Sequence, residues 1–211
     1  MSMDYWEAER EAAYDEFVES LSKELYAEHA KQAIDEFIRE RLRSYYEANP
    51  SVAVNPVKFA KKAKALISTD PTTSLFYSSV ATEVFIKSAI LKPIISGLVH
   101  SEAAADLIAE QMIKQSGIDR FSELLFTISH EYAGIELKEF RREGSNKSLW
   151  QERDEVQKVR NMIVHQAKDC EEVHAQLSFD VALHIFGVTK KLIEELGFEF
   201  DDDRNILLKS K

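Results

Sequence analysis

The chain has 211 residues, a length that suits one domain with an appendage, and 45% of them are hydrophobic, enough for a substantial core. A net charge of −10 argues against general electrostatic attraction to nucleic acid, so any contact with phosphate has to be local. One cysteine rules out an intrachain disulfide, and long amphipathic runs broken by only six glycines and four prolines point to an all-α architecture.

Residues 1–49 read as an acidic amphipathic helical extension. From Asp4 to about Ala48, residues such as Tyr14, Leu21, Leu25, Phe37 and Leu42 lie on a drifting apolar stripe. At 1.5 Å per residue this helix would run about 65 Å, too long for one compact domain to cover. No proline interrupts it, so a bend near Ala27 to Lys31 and packing of the arm on a second subunit both stay open. Residues 50–72 form a short basic helix and linker. Pro50, Pro56 and Pro71 bracket a helix over Val57 to Ile67, and Asp70-Pro71-Thr72-Thr73 reads as linker and cap.

The main helical domain is expected over residues 73–197. Its first helix spans Ser74 to Leu98, with Pro93 kinking it or marking an early end. Ser101 to Ser116 follows and stops at Gly117. Asp119 to Tyr132 is the third helix, continuing weakly to Arg142, and Glu143 to Lys147 form a loop. Ser148 with Gln151 makes a capping box for a helix that reaches Ala167, and Asp169 with Glu172 caps the last helix, which ends at Gly197. Residues 198–211 read as a tail in which Asp201 to Asp203 form a solvated acidic turn. No alternating strand pattern and no internal repeat is evident.

The helix from Ser148 carries the most informative residues. At about 100° per residue, Arg160 falls between Val156, Ile163 and Val164, inside the apolar stripe. An uncompensated buried charge costs about 3 to 5 kcal/mol, so this guanidinium needs a carboxylate partner or a functional reason. Asn161 and His165, four residues apart, share the adjoining face. Glu83 poses the same question, because its helical neighbours Phe76, Val80, Ile86 and Ile90 are apolar. Two partners stay open for it: Arg160 across helices, through a charge-assisted bidentate pair, and Lys87 at i+4 on its own helix.

Arg160 followed by Asn161 and, after four intervening residues, by His165 resembles the motif of the HEPN domains, over roughly Thr73 to Gly197. The resemblance implies an antiparallel helical bundle, to which the long N-terminal helix is an addition. It also implies a homodimer whose composite cleft receives one motif from each protomer. RNA carries its own nucleophile in the 2′-hydroxyl, so cleavage needs a base, a cation for the crowded phosphate and an acid, but no metal and no cofactor. His165 is the natural proton carrier, since an ordinary imidazole titrates near 6.5. Arg160 would stabilise the phosphorane and Asn161 would orient the phosphate or the imidazole, with Glu83 in support. The expectation is an endoribonuclease of toxin or antiphage-defence type, with RNA as substrate and a cognate antitoxin or regulatory protein as partner. The competing readings are a noncatalytic HEPN module that dimerises or binds nucleotide or RNA, and a regulatory partner docking through the N-terminal helix.

Elsewhere the sequence offers less. Lys58, Lys61, Lys62 and Lys64 stand in an acid-free stretch from Ser51 to Thr69, either as an ordinary exposed face or, with Lys158, as contacts for RNA phosphates. The other histidines show no zinc-ligand spacing. No phosphate-binding glycine loop or nucleophile elbow occurs. His184 reads as a packing residue and Cys170 as a small, semi-buried one. The N-terminus is acidic without an apolar run, and no window reaches about 18 consecutive apolar residues, so a cytoplasmic protein without signal peptide or membrane span is expected.

Overall fold

The computed structural model describes residues 14–16, 19–20, 29, 32, 36–99, 103–104, 107–108, 118–201 and 203–209. The chain divides into two units, residues 1–40 and 41–211. In the first, every described residue is helical, with Tyr14 and Phe37 exposed. Of the bend weighed at Ala27 to Lys31, only His29 is described, and it is helical. Residues 36–48 are helical, and in the second unit Leu42 and Tyr46 are buried.

Proline and aspartate set the first helix starts of this larger unit. Helix α1, Val54–Leu66, begins three residues before its expected start, and Pro56 sits within its first turn, where a missing N–H leaves no intrahelical bond unmade. Asp70 caps α2, Pro71–Val84, by accepting from the Thr73 N–H at 3.0 Å, and Pro71 occupies the first turn. The cap expected as a linker is therefore the helix start itself.

Pro93 neither ends the helix nor stands inside a regular one. A π-helical stretch, Phe85–Leu91, follows α2 directly and leads into α3, Lys92–Leu98, with the Lys92 N–H donating to the Lys87 carbonyl five residues back. Pro93 has no N–H to offer the Ala89 carbonyl four residues earlier. The Tyr46 hydroxyl supplies a donor instead, at 2.6 Å in a fully buried position, and burial pushes its pKa well above the usual tyrosine value.

Small residues let α2 pack closely against its neighbours. Ser74 donates to the Ala63 carbonyl of α1 at 2.8 Å, and Ser78 donates to Ser178 at 2.6 Å. Ser178 belongs to the longest helix, α6, Glu172–Glu195. These hydroxyls are buried and satisfied, while Leu75, Ala81, Phe85 and Ile185 supply fully buried apolar contacts around them. Residues 71–97 are long and apolar enough to cross a membrane, and 61% of the most apolar 18-residue window within them is buried in the protein, as befits a central core helix.

A 3-10 turn, Ile118–Phe121, precedes α4, Ser122–Ala133. Gly134, at φ +58°, then stops α4, and the Gly134 and Ile135 N–H groups close its C-terminus on His130 and Ser129. The weak continuation expected to Arg142 is absent: residues 134–142 are turn and coil. Of the helix expected over Ser101 to Ser116, residues 103–104 and 107–108 are helical, and the rest lies outside the described residues. Helix α5, Leu149–Gln166, has the expected reciprocal capping box between Ser148 and Gln151.

Asp169 does not cap α6. Glu171 takes the N-cap position without a side-chain bond, because Ala167 turns left-handed and the Cys170 N–H reaches Thr72 Oγ1 at 3.2 Å, which sets the helix start two residues later. The expected tail is a β-hairpin: β1, Phe198–Asp201, pairs antiparallel with β2, Ile206–Lys209. Phe198 and Leu207 are buried, and the Leu207 N–H donates to the Pro50 carbonyl. Asp201 is no solvated acid, since its side chain accepts from the Asp203 and Arg204 N–H groups and shapes the turn. The fold is all-α, with this hairpin as its one sheet among the described residues.

Candidate functional site

Val159 anchors α5 in a buried cluster with Leu75, Cys170 and Ala175, and Met162 and Ile163 pack against it. Arg160 stands at the edge of this contact, not within the stripe as expected. Its side chain is 28% exposed and that of Glu83 is 32%. The apolar positions of α5 form a narrower band than the wheel suggests, since Val164 is 57% exposed.

Both partners considered for Glu83 are realised. Arg160 Nη1 donates to Glu83 Oε1 at 3.0 Å, and Lys87 Nζ lies 4.0 Å from the other oxygen. The carboxylate thus bridges a cation on another helix and one on its own. Pairing with Arg160 runs through one hydrogen bond instead of a bidentate fork, and Arg160 Nε is buried without a partner.

Asn161 and His165 are exposed on the same helix. Asn161 accepts from Gln157 Nε2 at 3.1 Å, and His165 has no hydrogen-bond partner among the described residues. On the helical wheel Arg160, Val164, Asn161 and His165 follow one another across a single outward face, with Lys158 at its far margin. The face thus offers a held guanidinium, a carboxamide and an unoccupied imidazole.

The basic run lies on a different element. Lys58, Lys61, Lys62 and Lys64 are exposed on α1. Lys62 lies over the rings of Phe59 and Tyr77, 5.9 and 5.4 Å from their centroids, while Lys61 donates to Asn205 Oδ1 at 3.1 Å. Lys58 and Lys64 have no partner among the described residues. Nothing in the packing brings these lysines to the motif face.

Among the described residues, clefts of about 550, 350 and 410 Å³ open on the surface, and none of these three is lined by Arg160, Asn161 or His165. The cleft of about 550 Å³ lies over a charged network that sequence reasoning missed. Arg142 Nε bonds both oxygens of Glu152 at 3.0 and 2.8 Å, Ser145 donates to Oε1 at 2.6 Å, and Arg142 Nη1 reaches Asp180 at 3.4 Å. Glu152 is 4% exposed, and its hydrogen bond raises the Arg142 pKa further above its ordinary value. The signal was present, because Glu152 precedes Val156, Val159 and Ile163 at helical spacing. Arg153 is also buried, paired with Asp119 and Asp154 and stacked 5.2 Å from the Trp150 ring centroid.

Among the described residues no three His, Cys, Asp or Glu side chains stand together as a metal site. The His184 Nδ1–H donates to the Asp180 carbonyl at 2.8 Å and the ring lies beside Phe140, a packing position. Cys170 is buried, which pushes its thiol pKa up. No protein-family model, curated protein or solved structure matches the chain.

Proposed function

We propose that the chain is a HEPN-like, metal-independent endoribonuclease that acts as a homodimer, with Arg160, Asn161 and His165 of both copies at a shared cleft. The observation that carries this reading is the pairing of Arg160 with a carboxylate from another helix while an unpartnered imidazole stands on the same outward face. A purely structural ion pair gives no reason for the second half of that arrangement.

One imidazole cannot remove a proton and deliver one in the same step, and the motif lines none of the three clefts found among the described residues. A second copy supplies both the missing wall and the missing acid. In the proposed step one His165 takes the 2′-hydroxyl proton, the 2′-oxygen bonds to phosphorus, the bond to the 5′-oxygen breaks, and the other His165 protonates that oxygen. Arg160 stabilises the charge gathered on the phosphorane, Asn161 orients it, and Glu83 holds the guanidinium. The exposed Val164, set among these polar groups, gives the two faces an apolar contact. Lys158 and the outward lysines of α1 are the proposed contacts for RNA phosphates.

A role as a cytoplasmic toxin or defence factor, held in check by an antitoxin or another regulatory protein, belongs to the same proposal and rests on family analogy. The test is cleavage of structured and unstructured RNA by purified protein in chelator, beside His165→Ala. The expected result is loss of cleavage in the variant and 2′,3′-cyclic phosphate ends in the wild type. Equal activity in both proteins, or 5′-phosphate ends, would overturn the mechanism; RNA bound but uncut would leave a noncatalytic module.

A further inference from the structure

The second cleft, of about 350 Å³, has a composition unlike the rest of this acidic chain. Val57, Ala60, Lys61 and Lys64 face it from α1 at spacings of three, four and seven residues. Phe179, Ala182, Leu183 and Phe186 face it from α6 at the same spacings. Two parallel sets of helical positions thus form its walls.

Aromatic rings close the inner end. Phe85, fully buried at the start of the π-helical stretch, lies 5.1 Å from Phe186, which lies 5.1 Å from Phe200 of the hairpin. Leu183, on the α6 wall, is 45% exposed, which leaves apolar surface in water. At the rim the polarity changes. Asn205, in a left-handed turn at φ +56°, receives the Lys61 ammonium, and Lys64 has no partner among the described residues. No aspartate or glutamate lines the cleft. A chain with net charge −10 therefore presents here an apolar recess whose charged groups are both cationic.

We infer that this cleft binds an amphiphile with one anionic head and an unbranched apolar tail, of the medium-chain carboxylate class. The tail lies between α1 and α6 against Phe85, Phe186 and Phe200, and the head pairs with Lys64 while Lys61 and Asn205 donate beside it. The volume is within the range of small-molecule sites, about 300 to 1,000 Å³, and a mostly apolar lining with few polar groups at one end is the usual form of such a site. Lys58 and Lys62 lie about 100° and 140° around α1 from Val57 and take no part, whereas Lys61 and Lys64 are shared with the proposed RNA contacts.

Calorimetric titration of the full chain with decanoate, below its micelle concentration, is the test. Saturable binding of one decanoate per chain is expected, and decan-1-ol of equal tail length should bind at least about tenfold more weakly. Lys64→Glu, an exposed position, should weaken decanoate about tenfold without changing the unfolding midpoint. Leu183→Trp should block the cleft from its exposed wall and abolish binding. Absence of saturable binding, equal affinity for the alcohol, or wild-type affinity in Lys64→Glu each overturns the assignment.

Discussion

Replacing Glu83 with Gln keeps the size of the side chain and removes the charge that holds Arg160. The cost follows from exposure. A fully exposed pair contributes about 0 to 1 kcal/mol, whereas removing one partner of a buried pair costs about 3 to 5 kcal/mol. With side chains 28% and 32% exposed and a single 3.0 Å hydrogen bond, the Arg160–Glu83 pair lies nearer the lower limit, at about 1 to 2 kcal/mol for Glu83→Gln. In a chain of this length that is a fall of roughly 2 to 8 °C in the unfolding midpoint. Urea denaturation of Glu83→Gln, Arg160→Met and the double variant gives the coupling energy directly, expected at about 1 kcal/mol. Lys87 stays within reach of either residue at position 83, at 4.0 Å from the wild-type carboxylate, so it does not mimic the loss. The same variants report on chemistry: Glu83→Gln should lower RNA cleavage and Arg160→Met should abolish it. Additive stabilities to within about 0.3 kcal/mol would refute the view that Glu83 holds the guanidinium.

Tyr46→Phe should destabilise the chain by about 1 to 2 kcal/mol, because the buried Ala89 carbonyl loses the donor that stands in for the N–H missing at Pro93. Since the Tyr46 pKa is raised in the fold, its contribution is complete below about pH 10 and fades as the unfolded chain ionises above it, so denaturation curves of wild type and Tyr46→Phe should converge at alkaline pH. Glu152→Ala should cost about 2 to 4 kcal/mol, having removed a 4%-exposed carboxylate from a quarter-exposed arginine, with hydrogen exchange rising over residues 142–148. Asp70→Ala should lower stability at neutral pH and flatten the acid limb of the stability profile: the Thr73 side chain, followed by the Thr73 backbone N–H, holds the Asp70 pKa below the ordinary value, so the cap's contribution is present above about pH 4 and lost as pH falls through the lowered value.

The helices were legible wherever a local chemical signal marked them. Ser148 with Gln151 and Gly197 stand at the ends the sequence gives α5 and α6, because capping depends on residues three or four apart. Pro93 was ambiguous for a physical reason: the outcome depends on a π-helical turn and on a donor from Tyr46, which lies 43 residues from the Ala89 carbonyl it serves. The hairpin was hidden because strands of four residues give too few alternations, and the acids between them read as solvated when one of them shapes the turn. In the site, the Arg160–Glu83 pair was foreseen as one of two alternatives from charge set among apolar neighbours. Its exposure was not, since periodicity gives direction around a helix and says nothing of how far a neighbouring helix covers it.

That difference in cover separates two charges on one helix that the sequence presents alike. Glu152 and Arg160 both interrupt the apolar positions of α5. Around Glu152 the fold closes: Arg142 and Ser145 bond both its oxygens, 4% of the side chain meets solvent, and the loop of residues 142–148 is tied down by it. Around Arg160 the fold stays open: one hydrogen bond, 28% exposure, and an exposed amide and imidazole on the adjoining surface. A charge enclosed on all sides can only hold structure, because releasing it would leave an unpaired ion in the interior. A charge fixed on one side and open on the other remains available to an anion arriving from solvent, and the proposed nuclease reading assigns that role to Arg160 and withholds it from Glu152.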